Sequence, residues 1–155
     1  MKTKELIIAG AVLTLVTYTL ALSLGSQVFA GARVDKPPTK VTNTGVVGVG
    51  GVWAYENSGC TTLLKSINWG TLKPGSSSNS MCYIRNEGDS VTTLSMSTDD
   101  WDPSEAQDYL TLSWDYGGQS IDVDEAVQIT FTLDVDSTIE GITNFSFDII
   151  IAGNS

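Results

Sequence analysis

The chain has 155 residues, with 8 lysines and arginines, 18 aspartates and glutamates, and no histidine, so its formal net charge is −10. The absence of histidine excludes histidine-dependent nucleophile triads, H-E-x-x-H zinc sites and histidine proton shuttles. The acidity argues against nucleic acid as a partner, because displacing phosphate counterions requires a basic surface. The length suits one domain with appendages, and we expect a small acidic domain that is not an enzyme.

Residues 1–32 are predicted to direct export. Charged residues at the start are followed by a largely apolar run, residues 6–25, and then by the small-residue patterns VFA and AGA within residues 28–32. This order is typical of a cleaved secretory signal peptide. A retained membrane anchor is the alternative, because an apolar run of this length can cross a bilayer. Either interpretation places the rest of the chain outside the cytoplasm, at the cell surface or in the medium, with membrane contact only through residues 6–25.

Residues 33–44 are predicted to form an extended arm, because Pro37-Pro38 favours polyproline-like geometry. The following segment, residues 45–52, combines valines of high β-propensity with glycines that weaken a strand and let another backbone come close. It is expected to be an open sheet edge used for strand addition between copies of the chain. The alternative is an edge strand paired within its own domain. The residues assigned to strand addition are Lys40, Val41, Val46, Val47 and Val49.

Beyond the arm, apolar residues recur at every second position, which indicates strands with one buried face. Strict alternation predicts strands at residues 110–115, 127–135 and 145–151, and weaker patterns predict strands at 46–55, 65–69, 80–86 and 91–97. One helical turn is expected at residues 103–109. Short strands separated by glycine, proline and asparagine turns predict that residues 45–155 form an all-β, immunoglobulin-like β-sandwich of about seven strands.

Cys60 and Cys82 are the only cysteines. Because cysteines of exported domains usually pair, a Cys60–Cys82 disulfide is expected, with two buried free thiols as the alternative. A metal site on this pair is not expected, since the chain has no other cysteine or histidine to complete a tetrahedron.

Acidic residues are concentrated in the second half of the chain. No basic residue follows Arg85, whereas 15 of the 18 acidic residues lie from Glu87 onward. Asp99, Asp100 and Asp102 are therefore candidate ligands for Ca²⁺, the only cofactor considered. The alternative is a solvated acidic surface that keeps an exported protein soluble. A glycosidase pair is not expected, because these acids fall in loops or on outward strand faces, and no catalytic residue is assigned.

Aromatic residues suggest one binding surface. Trp114 and Trp53 share the phase of apolar neighbours and are predicted to be core residues, whereas Trp101 lies between aspartates and is predicted to be exposed in a loop.

Asn144, in the triplet Asn-Phe-Ser, is the only candidate glycosylation site.

Four segments in order resemble small archaeal secreted surface proteins that have a single immunoglobulin-like domain. They are WAY and the following Cys60 at residues 53–60, INWGTLKPGS at 67–76, YIRNEG at 83–88 and GITNFSFDII at 141–150. The corner formed by residues 72–75 and 86–88 is also similar to that of TasA/camelysin-type filament subunits, which archaeal bundling-pilus subunits resemble. The filament resemblance implies that an N-terminal arm is inserted as a missing strand into the next subunit.

The sequence thus predicts an extracellular structural protein, a cell-surface or pilus-type filament subunit that forms a homopolymer or homo-oligomer by β-strand addition. The alternative is a membrane-tethered surface domain that binds carbohydrate or another surface protein through the Trp101 loop.

Overall fold

The structure, a computed structural model, describes the backbone of residues 39–155 and the side chains from Thr44 onward. The predicted export segment and the first part of the predicted arm lie outside the described residues. No helix within residues 39–155 is long and apolar enough to cross a membrane. The strands are β1 (Thr39–Val49), β2 (Val52–Tyr55), β3 (Ser66–Ile67), β4 (Thr71–Leu72), β5 (Ser77–Asn86), β6 (Thr93–Asp102), β7 (Leu110–Trp114), β8 (Ala126–Val135) and β9 (Asn144–Asn154).

The strands form two sheets, which confirms the all-β sandwich. In the first sheet the strand order is β3-β1-β9-β6, with β4 pairing β1 beside β3. In the second sheet the order is β2-β5-β8-β7. All neighbouring strands are antiparallel except β1 and β9, the first and last described strands, which are parallel. The described residues contain nine strands rather than the predicted seven, because the predicted strand at residues 46–55 is divided between β1 and β2, and because the two-residue β4 was too short to give a periodic signal.

The core lies between the sheets and is built mainly from β8 and β9. Alternate residues of both strands are buried, as the strict period of two predicts. The inward side chains are Ile129, Phe131, Leu133 and Val135 on β8, and Phe145, Phe147, Ile149 and Ile151 on β9. The predicted half-buried strands at residues 127–135 and 145–151 are therefore confirmed.

The predicted strand at residues 46–55 is two strands in different sheets, β1 and β2, joined by Gly50-Gly51. Both glycines have positive φ, +67° and +79°, a conformation that suits residues without a Cβ. A Cβ on Gly48 would lie 2.2 Å from the carbonyl oxygen of Val52. The backbone that approaches these glycines closely is therefore the chain's own. The β1 strand also begins at Thr39, within the range predicted to be an extended arm.

The far end of β6 is irregular. Asp99 pairs with Asp148 and Asp102 with Ser146, so β6 contains one more residue than β9 over this stretch. Such a bulge reverses the inward and outward phase of the residues after it. The predicted helical turn follows as a 3₁₀ helix, Ser104–Asp108, in which Ala106 is buried.

Candidate functional site: the sheet edges

The segment assigned to strand addition is paired within its own chain. Lys40 is aligned with Asn144, Val47 with Ile150 and Val49 with Ala152, and the pairing with β9 continues along the whole of β1 with one irregularity between Val41 and Asn43. The prediction that this segment leaves its main chain open is therefore wrong on the β9 side. A local pattern could not show this, since the partner strand is about a hundred residues away in the sequence.

The other side of β1 is only partly covered. Thr44 and Gly45 pair with β3, and the Val46 N–H donates to the carbonyl oxygen of Lys65 at 3.1 Å. Within residues 39–155, no strand is paired with β1 on this side beyond Val46. The chain that covers Thr44–Val46 crosses to the other sheet, where the Leu64 N–H donates to the Ala54 carbonyl oxygen at 2.9 Å. On the side of β1 away from β9, residues 62–67 thus connect the two sheets next to Thr44–Val46. The C-terminal end of β1 has no such cover on this side.

An apolar cleft lies at this opening, with a volume of about 320 Å³. Four large apolar side chains at its walls and margin are substantially exposed: Trp53 at 48%, Val49 at 43%, Val47 at 42% and Leu63 at 39%. Trp53 was predicted to be a core residue, which is wrong, because Val52 and Ala54 are the β2 residues that face the core. The residues lining the cleft are Val46, Val47, Gly48, Trp53, Ala54, Leu63, Leu64 and Lys65.

The opposite edge of the first sheet is formed by β6. The Leu94 N–H donates to the Tyr116 hydroxyl at 3.1 Å and so points away from β9. Met96 and Thr98, two and four residues further along, face the same way. Within the described residues, their outward main-chain groups have no hydrogen-bond partner. This second open edge was not predicted from the sequence, where residues 91–97 indicate a strand but not its place in the sheet.

Trp101 is not the exposed loop residue that was predicted. Its ring stacks on Phe147, with centroids 4.1 Å apart and an interplanar angle of 11°, and its Nε1–H donates to the Thr98 hydroxyl at 3.2 Å. The β6 bulge turns it towards the core. Trp114, predicted as a core residue, is half-buried and lies parallel to Phe131. Trp101 is therefore half-buried against the core at the end of β6 and is not a fully exposed loop residue.

Cys60 and Cys82 are both free, so the structure corrects the predicted disulfide. Cys82 lies on the inward face of β5 and is fully buried, whereas Cys60 lies in the turn after β2. Burial raises the pKa of the Cys82 thiol to about 12, with a smaller contribution from the Asp115 carboxylate. Burial also raises the pKa of Cys60. Neither thiol is activated, because both are held in the protonated form at neutral pH.

Asp99, Asp100 and Asp102 all lie exposed on the bulged end of β6. Within the part of the chain that the structure describes, no three acidic or cysteine side chains are grouped to hold a metal ion. Asp99 instead accepts a hydrogen bond at 2.9 Å from the Asp100 N–H. The candidate calcium ligands are thus neighbours along one strand without forming a shared pocket. Asn144, the candidate glycosylation site, is exposed at the start of β9.

An exposed polar network on the second sheet was missed by sequence reasoning. Arg85 forms ion pairs with Asp124 at 2.8 Å and with Glu87 at 3.2 Å. The Tyr55 hydroxyl donates to Glu87 at 2.7 Å, and this hydrogen bond is the main reason that the pKa of Tyr55 is raised. The network links β2, β5 and the turn before β8 at the surface, and nothing in the spacing of these residues along the sequence indicates it.

No protein-family model matches the chain, and no curated protein matches it in sequence.

Proposed function

We propose that this chain is an exported structural protein, a subunit of a filament or surface layer whose copies are joined by β-strand addition through β1. In this arrangement β1 of one copy lies beside β9 of the next, in the position that it has within its own chain. The observation that supports the proposal most directly is the pairing of β1. It is the first described strand, pairs with β9 from Lys40 to Val49, and is joined to the rest of the sandwich through a two-residue turn.

Strand exchange requires a hinge. Gly50-Gly51 occupies the position of a hinge, because every described residue before it belongs to β1. Glycine has the backbone freedom to change from a tight turn to an extended link. Exchange of a terminal element through a short hinge is a known route to oligomers that makes the same contacts as the monomer.

Exchange of this kind is head-to-tail. The donor strand and the acceptor groove are different surfaces, so each copy can donate to one neighbour and accept from another. A contact that does not close on itself extends into a fibre. Each exchanged β1 would bury Thr44 and place Val46 against the neighbour's core, as both residues are placed in the single chain.

The immunoglobulin-like character and the extracellular location belong to this proposal. The two-sheet sandwich and the predicted export segment support them. Mass spectrometry of the mature N-terminus will distinguish cleavage after Ala30 or Ala32 from a retained anchor. The same spectrum reports whether Asn144 carries a glycan.

Engineered cysteines test the exchange directly. Val47 and Ile150 are aligned on β1 and β9 and lie on the same face of the sheet, within the Cα separation that a disulfide allows. In the variant V47C/I150C, with Cys60→Ser to remove the accessible native thiol, oxidised assemblies should give a ladder of covalent oligomers on a denaturing gel. If β1 stays in its own chain, the same bond is intramolecular and only monomers appear, which contradicts the proposal.

A matched pair controls for non-specific cross-linking. Ser95 and Ala152 are aligned on β6 and β9, two strands that exchange leaves together. The variant S95C/A152C with Cys60→Ser should therefore give only monomers under the same oxidation.

A second candidate function is favoured by the exposure of Trp53. A surface domain that binds carbohydrate or another surface protein would use the Trp53 cleft rather than Trp101. Electron microscopy separates the two, because the structural subunit forms fibres or layers without added ligand and the binding domain stays monomeric.

A further inference from the structure

The β6 edge forms a second interface that is independent of β1. We infer that two copies of this chain pair through their β6 strands, antiparallel and about a twofold axis, so that their first sheets join into one. The interface is isologous, since each copy contributes the same strand. It involves a different edge from the one that β1 exchange uses, and it does not rest on that exchange.

The hydrogen-bonding pattern of β6 suits a second β6. Met96 and Thr98 direct their main-chain groups outward, and in an antiparallel pair centred on Ser97 each Met96 lies opposite the other copy's Thr98. The outward donors and acceptors then face one another. This register leaves the Leu94 N–H bonded to the Tyr116 hydroxyl, which is itself fixed by donating to the Gln119 carbonyl oxygen.

The centre of β6 lacks the features by which proteins block exposed edges. Residues 93–98 contain no charge and no proline, and the bulge begins only after Asp99. Ordinary edge strands are interrupted by lysine, proline or a bulge along their length. Thr92 is bridged to Ile121 and the Leu94 N–H is bonded to Tyr116, so the open stretch runs from Ser95 to Asp99. These five residues span about 16 Å, which is within the usual range of strand lengths.

Charge selects the antiparallel orientation. Asp99, Asp100 and Asp102 lie at one end of β6, so a parallel pair would place six carboxylates side by side. In the antiparallel pair centred on Ser97, the two Asp99 residues are four positions apart along the joint, about 13 Å. This separation exceeds the Debye length of about 8 Å at physiological ionic strength, so their repulsion is largely screened.

The same register places Asp99 opposite Ser95 of the second copy. The Ser95 hydroxyl oxygen already accepts a hydrogen bond from the Asn154 amide at 3.1 Å, which leaves its O–H free to donate. An exposed carboxylate thus meets a hydroxyl donor rather than another carboxylate. A second copy therefore fits this edge better than another acidic strand would.

Two lysine substitutions on the same strand test the interface. Ser97 and Ser95 are both exposed and both face away from the core, so neither change should affect folding. In the full chain, S97K places two lysines opposite each other at the twofold axis and should raise the dimer dissociation constant about fivefold or more. S95K places each lysine opposite the second copy's Asp99 and should leave the constant unchanged or lower it. The constants are measured by analytical ultracentrifugation.

A cysteine at the axis gives a second readout. In the Cys60→Ser background, S97C should form a disulfide-linked dimer on mild oxidation, because the two Ser97 Cα atoms form a close cross-strand pair. S95C should not, since its counterpart is Asp99. Equal behaviour of the two lysine variants, equal cross-linking of the two cysteine variants, or a monomeric wild type at high concentration would overturn the inference.

Discussion

The carbonyl oxygen of Val52 occupies the space where a Cβ on Gly48 would lie, 2.2 Å from that position. Two strands of different sheets therefore touch main chain to main chain at the corner between β1 and β2. Any side chain at residue 48 must push the two sheets apart at this point, because backbone cannot rotate away as a side chain can.

The Gly48→Ala variant is expected to be destabilised by about 1–3 kcal/mol through this overpacking. The measurement is the midpoint of urea unfolding. Gly59→Ala is the control, because a Cβ at Gly59 would meet its nearest neighbour, the Asn57 amide, at an ordinary 3.6 Å. A Gly48→Ala variant as stable as Gly59→Ala would contradict the close contact.

Trp101→Ala is expected to reduce the free energy of unfolding by about 2–4 kcal/mol, since the indole is stacked on the fully buried ring of Phe147. Trp53→Ala should cost less than about 1 kcal/mol, because its side chain is already half exposed. Chemical denaturation of the two variants gives the comparison. Equal losses, or a larger loss at Trp53, would show that the assignment of inner and outer tryptophans is reversed.

The two thiols should differ in reactivity. With the folded protein at neutral pH, a thiol reagent is expected to modify Cys60 slowly and Cys82 not at all, because Cys82 is fully buried. In denaturant both should react. The number of labels is counted by mass spectrometry without reductant. A protein that takes up no label even when unfolded would have Cys60 and Cys82 joined in a disulfide, which would contradict the free thiols.

Stability should fall above pH 9 because of Cys82. Its pKa is raised from 9.0 to about 12 in the folded state, so between these values the unfolded chain loses the thiol proton while the folded chain keeps it. The stabilisation is complete below pH 9 and is lost as the pH rises towards 12. Between pH 9 and 10 the loss is about 1 kcal/mol.

Other groups titrate in the same range, so the measurement compares unfolding free energies of the wild type and Cys82→Ala from pH 7 to 10. The difference between the two proteins should shrink as the pH rises. A difference that stays constant would rule out the shifted thiol as the cause.

The strands were predictable where one face alone is apolar. Along residues 127–135 of β8 and 145–149 of β9 the inward positions are apolar and the outward ones polar, so the period of two determines both the strand and its buried face. In residues 46–55 the pattern did not identify the buried face, because both faces are apolar. One face carries Val47, Val49 and Trp53, and the other carries Val46, Val52 and Ala54. The core beside β2 is filled by the smaller side chains of Val52 and Ala54, whereas the face that contains Trp53 was incorrectly predicted to be buried.

The strand pairing at the two sheet edges could not be predicted from local sequence patterns. The pairing of β1 with β9 joins the two ends of the described chain. The position of Trp101 depends on one extra residue in β6, which reverses the phase without changing composition. The openness of β6 follows from its place at the end of the sheet order. Each is a property of the sheet and not of the segment.

The parallel pairing of β1 with β9 also affects when the molecule can fold. Residues 39–49 have no long strand partner until residues 144–154 are available, so the first sheet cannot be completed until those residues have been made. Contacts between such distant residues slow folding, because the loop between them must close first. During that interval the valine-rich beginning of the domain lacks its long strand partner, and it is in this interval that the proposed exchange would let the β9 strand of another molecule take the place of its own.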